Sequence, residues 1–170
     1  MLLGIVRHTP WPVFVLFFVL LSLGRKQMET RQLSRGRLLL LPLAMLGLSA
    51  YGVLTEFGPA VLPVAGWLVG LALALAIAGP WIVPAGVRYL SESRSYEVPG
   101  SGLPLILMMA IFFTHYAVAV AMAMRLPLTS GSVFPGLIGL AYGVLSGLVA
   151  ARAQAIFRGA ARADGAPASV

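Results

Sequence analysis

Few side chains in this sequence can do acid–base or ligand chemistry. The 170 residues include two histidines, five acids and no cysteine. Without cysteine there is no disulfide, thiolate metal site, CxxC redox pair or covalent c-type haem attachment through this chain. His115, followed by Tyr116, sits inside an apolar run that opens at Leu103. Twelve residues into a helix is about 18 Å at 1.5 Å per residue. An ionisable group at that depth is costly unless it faces protein or a water-filled path. His115 is therefore the leading candidate functional residue, with Tyr116 beside it and Glu56, at the end of another apolar run, as the third. The chemistry open to the imidazole is proton relay, contact with a solute, or ligation of haem or metal. The alternative is structural: a neutral ring hydrogen-bonded to a neighbouring helix.

Geometry narrows these options. Met108 and Met122 share the His115 face, but each is two helical turns away, about 10 Å along the axis, so neither joins it on one metal. A haem between His8 and His115 would need the first helix to dip inward. Arg7-His8-Thr9-Pro10-Trp11 reads better as an interfacial anchor and helix start. No metal site and no cofactor are expected, His115 being the single weak candidate for a cofactor contact. Glu56 reads as a solvated acid at an outer helix end, or as a partner for Arg125 or Arg7. No P-loop, HExxH, GxSxG or paired intramembrane carboxylates occur. An enzyme is not expected.

The elements that must position these residues follow from composition. The chain is 59% hydrophobic and 10% charged, with a mean hydropathy of +0.94. Soluble domains are about 25% charged, so most of this surface is expected to face lipid. Apolar segments at 9–23, 38–54, 60–78, 103–124 and 133–151 predict an all-α integral membrane helical bundle of about five transmembrane helices. Residues 1–157 form a single transmembrane domain, and 158–170, ending in Gly, Ala, Pro and Ser, read as a disordered cytoplasmic tail. The segment at 9–23 lacks a basic n-region and a small-residue cleavage site, so it reads as an uncleaved anchor.

The net charge of +7 does not imply nucleic-acid binding, because the basic residues cluster between the apolar runs. With the first loop inside, Arg25, Lys26, Arg31, Arg35, Arg37, Arg88, Arg94, Arg152, Arg158 and Arg162 all lie on one side, and only Arg7 and Arg125 on the other. The rule that basic loops stay inside then gives a bacterial inner-membrane protein, N-terminus periplasmic and C-terminus cytoplasmic. A surface-lying first segment is the rival topology.

Residues 87–98 predict a small cytoplasmic β-hairpin between the third and fourth spans. A two-residue turn at Glu92-Ser93 pairs Leu90 with Ser95, Tyr89 with Tyr96 and Arg88 with Glu97, and its tyrosine face would rest on the headgroups. Two rows of small residues, Gly66, Gly70, Ala74 and Ala78 in the third span and Gly139, Gly143 and Gly147 (then Ala151) in the fifth, predict close helix contacts within or between chains.

The stretches GIVRHTPWPVFVLFFVLLSLGRKQ, RLLLLPLAMLGLSAYG and VPGSGLPLILMMAIFFTHYAVAVAMA resemble an uncharacterised family of small proteobacterial inner-membrane proteins. The chain departs from that family's pattern at Gly102, where a large aromatic is usual, and at His115, where a basic residue is frequent. A fainter resemblance, in the arginine–proline patterns of the loops, reaches the CcdC-like proteins associated with cytochrome c biogenesis. The expected function is that of a non-enzymatic assembly or stabilising partner of a membrane complex. The alternative is a small transporter or channel-like oligomer using His115. The expected surroundings are the lipid bilayer and a membrane-protein partner or second copy.

Overall fold

The computed structural model describes residues 11–78, 82, 86–90 and 95–164, the side chains at 35, 89 and 159–164 excepted. Among these are five α-helices: α1 Trp11–Arg25, α2 Arg35–Phe57, α3 Val61–Ile77, α4 Leu103–Ala123 and α5 Phe134–Asp164. A 3-10 turn, Pro127–Ser130, joins α4 to α5. All five expected helices form. Three of them, over Gly36–Phe57, Leu103–Ala123 and Phe134–Arg158, are long and apolar enough to cross a membrane. The other two are shorter: α1 has 15 described residues and α3 has 17. At 1.5 Å per residue those lengths are about 22 and 25 Å, against about 30 Å of hydrocarbon.

Local chemistry sets the boundaries. The α2 helix runs through Pro42 and ends at Phe57. Gly58 then turns the chain at φ +67°, where a side chain would be strained, and its N–H donates to the Leu54 carbonyl at 3.0 Å. The fifth helix continues well past residue 151, to Asp164, so residues 158–164 are helical where a disordered tail was expected. The sequence RAQAIFRGAARAD explains this, because alanine, arginine and glutamine are strong helix formers even where the apolar run has stopped. Residues 165–170 lie outside the described set.

The most extensive helix contact is α3 on α5. The two small-residue rows face each other across it. A Cβ at Gly70 would meet the Val144 nitrogen at 2.8 Å, one at Gly143 the Leu71 nitrogen at 2.9 Å, and one at Gly147 the Ala74 Cβ at 2.6 Å. Ala74, Ala78 and Ala151 are buried. These backbones therefore sit closer than any side chain would allow.

Leu20, Met45, Met108, Ile111 and Val149 form the central core, joining α1, α2, α4 and α5. At one end a sheet closes the bundle in the order β1-β3-β2, with β1 Arg31–Ser34, β2 Arg88–Leu90 and β3 Ser95–Val98, all antiparallel. The hairpin register is the expected one: Arg88 opposite Glu97, Tyr89 opposite Tyr96, Leu90 opposite Ser95. The turn itself lies outside the described residues.

Two features correct the sequence reading. The hairpin gains a third strand, β1, from the basic segment after α1, pairing Arg31 with Val98 and Leu33 with Tyr96. In addition, Tyr96 and Val98 are buried against Ile156 and Leu38, and the Tyr96 ring meets Phe157 edge-on at 5.4 Å. Those two residues of the sheet rest on the extended α5 helix rather than on headgroups. Since β1, β2, β3 and the end of α5 meet there, the basic residues Arg31, Arg88 and Arg152 share one end of the molecule.

Candidate functional site

At the other end of the bundle, a second core of Val53, Val118 and Tyr142 holds the polar residues. Tyr142 is 1% exposed. Its backbone carbonyl accepts from Ser49 Oγ at 3.2 Å and from Ser146 Oγ at 2.7 Å, and Ser49 Oγ in turn accepts from Trp67 Nε1 at 3.0 Å. These links, drawn from α2, α3 and α5, fix the tyrosine. A buried hydroxyl must find an acceptor, and the Tyr142 hydroxyl donates to Glu56 Oε2 at 2.8 Å.

Glu56 is thus not a solvated helix-end acid, nor is it paired with Arg125. Its other oxygen, Oε1, lies 3.5 Å from His115 Nδ1. Arg125 is exposed, held at φ +51° where the chain leaves α4. The tyrosine and histidine side chains reach Glu56 first because α5 and α4 bury them beside the last turn of α2. Arg7 and His8 lie outside the described residues.

The imidazole is clamped on its faces. The Tyr142 ring stacks on it with centroids 3.7 Å apart and planes at 26°. Gly52 of α2 leaves the space the ring occupies: a Cβ there would fall 2.6 Å from His115 Nδ1. His115 and Glu56 side chains are 18% and 15% exposed. His115 Nε2 is buried and, among the described residues, has no hydrogen-bond partner. A proton on Nδ1 suits the facing carboxylate, which leaves Nε2 as an acceptor with no donor among the described residues.

The site opens on a cleft of about 240 Å³ between α1, α2 and α4, whose lining includes Leu16, Tyr51, Glu56, Phe112, His115 and Tyr116. Of the three polar candidates named from sequence, all line this one cleft. Tyr116 stands at its wall with its ring stacked over Phe112 at 6.3 Å. Sequence reasoning missed Tyr142, Ser49, Trp67 and Gly52. The signal available was a tyrosine and two serines in otherwise apolar runs, but nothing in a single sequence says which helix face meets which. Among the described residues no three histidine or acidic side chains come together as a metal site.

A family model described as a family of unknown function, DUF6622, matches residues 1–169. The chain belongs to DUF6622. No curated protein and no solved structure matches it. In this DUF6622 chain Glu56 joins the His115 imidazole and the Tyr142 hydroxyl into one polar cluster beside the cleft.

Proposed function

We propose that this DUF6622 chain is a small transporter or channel-like protein of the bacterial inner membrane, with Glu56, His115 and Tyr142 as the polar step of its path. The observation that carries the reading is the partly buried carboxylate–imidazole pair, whose buried Nε2 has no hydrogen-bond partner among the described residues. Burying such groups is costly, and within membrane helices ionisable residues mark ion, proton or solute routes. Membrane residence is supported by the apolar side chains turned outward along the helices, among them Val61 at 84% and Leu40 at 70% exposure. The gathering of Arg31, Arg88 and Arg152 at the sheet end supports five crossings with that end cytoplasmic and the N-terminus periplasmic.

The small-residue rows, one of the two grounds for an assembly-partner role beside the absence of catalytic motifs, face each other inside the chain and so do not call for a partner. The polar cluster favours the solute path. The test is flux across proteoliposomes of the purified full chain, driven by a potassium diffusion potential and read with a proton-sensitive dye. Proton flux that His115→Ala and Glu56→Gln each lower strongly while leaving a measurable remainder, in protein shown to be folded by circular dichroism, is the expected result. Flux unchanged by both substitutions, or no flux above empty liposomes, would overturn the proposal.

A further inference from the structure

A separate cluster lies at the sheet end, where three cations line one cavity. Arg31 comes from β1, Arg37 from the first turn of α2, and Arg152 from the extended part of α5; Gln27 completes the polar lining. They descend from the surface inward: Arg37 is exposed, Arg31 half-buried, and Arg152 only 9% exposed. Among the described residues none of them has a carboxylate partner, since the single close acid–base contact is Glu56 with His115. Glu97 is next to the cavity in sequence, but strand alternation sets it on the face opposite Val98, which lines the cavity. Glu29 is exposed.

The arrangement is unfavourable as it stands. Arg31 and Arg152 bring like charges to the lining of one cavity, and burial disfavours the charged form of Arg31. Removing a guanidinium from water without a counter-charge is costly. The start of α2 adds to the imbalance, having no acid in its first turn and no side-chain cap from Ser34. Helix N-termini favour negative charge. The cavity, about 50 Å³, has room for roughly three or four waters, the bulk of one phosphate group. The rest of its lining is largely apolar and includes Leu41, Leu107 and Val149.

We infer that this cavity is an oxyanion site in which Arg31, Arg37 and Arg152 hold a phosphate group, borne by an anionic phospholipid headgroup or by free phosphate. Guanidinium forks match phosphate oxygens two at a time, and the bound charge relieves the repulsion between the two inner arginines. Apolar wall residues beside the cations suit a phosphate ester with a hydrophobic arm. The inference is independent of the solute path, because the cavity shares no lining residue with the cleft.

The test is thermal unfolding of the full chain in phosphatidylcholine nanodiscs, with added inorganic phosphate in one arm and 20 mol % phosphatidylglycerol (an amount on the order of that in bacterial membranes) in the other. Sodium chloride at equal ionic strength is the control. A saturable upward shift in Tm in either arm is expected. A response to phosphatidylglycerol alone assigns the headgroup, and a response to phosphate alone assigns the free ion. Arg152→Gln and Arg31→Gln should each lose the shift or weaken the apparent affinity about tenfold or more. Both should fold, since each removes an unpaired charge. Arg88→Gln, outside the cavity, should keep the full response. No shift in either arm, a shift that chloride reproduces, or a shift that survives both Arg152→Gln and Arg31→Gln would overturn the inference.

Discussion

The same substitution, glycine to alanine, should have opposite signs at two positions of this fold. At Gly143 an added Cβ would lie 2.8 Å from the Trp67 carbonyl carbon and 2.9 Å from the Leu71 nitrogen, both backbone atoms of α3. Ordinary contact begins near 3.4 Å and the Trp67 carbonyl oxygen would lie nearer than either atom, so α3 and α5 must part by more than about 0.6 Å along their largest interface. Overfilling a well-packed contact costs about 1–3 kcal/mol, and the helix-propensity gain of alanine over glycine returns up to about 1 kcal/mol. Gly143→Ala should therefore destabilise by about 1–2 kcal/mol. Gly47 has nothing within 4 Å of its virtual Cβ, so Gly47→Ala keeps only the gain and should be neutral to stabilising by up to about 1 kcal/mol. Reversible unfolding in mixed micelles, followed by far-ultraviolet circular dichroism, measures both against the parent chain. A Gly143→Ala protein as stable as Gly47→Ala would refute the facing of the two glycine rows.

Other substitutions test the polar end. Tyr142→Phe removes the hydroxyl that donates to Glu56 and should cost about 2 kcal/mol in the same unfolding assay, since hydrogen bonds to charged groups contribute about 1.5–3 kcal/mol. Ser49→Ala strands the Trp67 indole N–H and should cost about 1–3 kcal/mol. Gly52→Ala drives a methyl into the imidazole; it should destabilise by about 1–3 kcal/mol and lower flux, whereas Gly47→Ala in the same helix should leave flux intact.

The legible parts of this protein were those with a short-range period. Hydropathy marked all five helices because each is a continuous apolar run, and a period-two alternation with tyrosine and opposite-charge pairs gave the β2–β3 register residue by residue. The third strand was hidden, because RQLS carries no β-branched or aromatic residue and its arginine reads first as a topology signal. Its pairing depends on Tyr96 and Val98 being covered by α5, a contact between residues some sixty apart in sequence. The site was half legible for the same reason. His115 and Glu56 stand out as ionisable groups in apolar surroundings, whereas Tyr142 looks like any tyrosine near a helix midpoint until α5 is set against α2. The solvated reading of Glu56 failed because helix ends are exposed only where nothing packs beside them.

The central claim is that Glu56 and His115 act as one unit rather than as two separate polar groups. A double-mutant cycle on proteoliposome flux tests it most directly, comparing the parent chain, Glu56→Gln, His115→Gln and the double variant. If the pair is a single step of the path, the double variant falls no further than the worse single one, because removing either partner already removes the unit. Effects that multiply, each substitution acting independently of the other, would contradict the account.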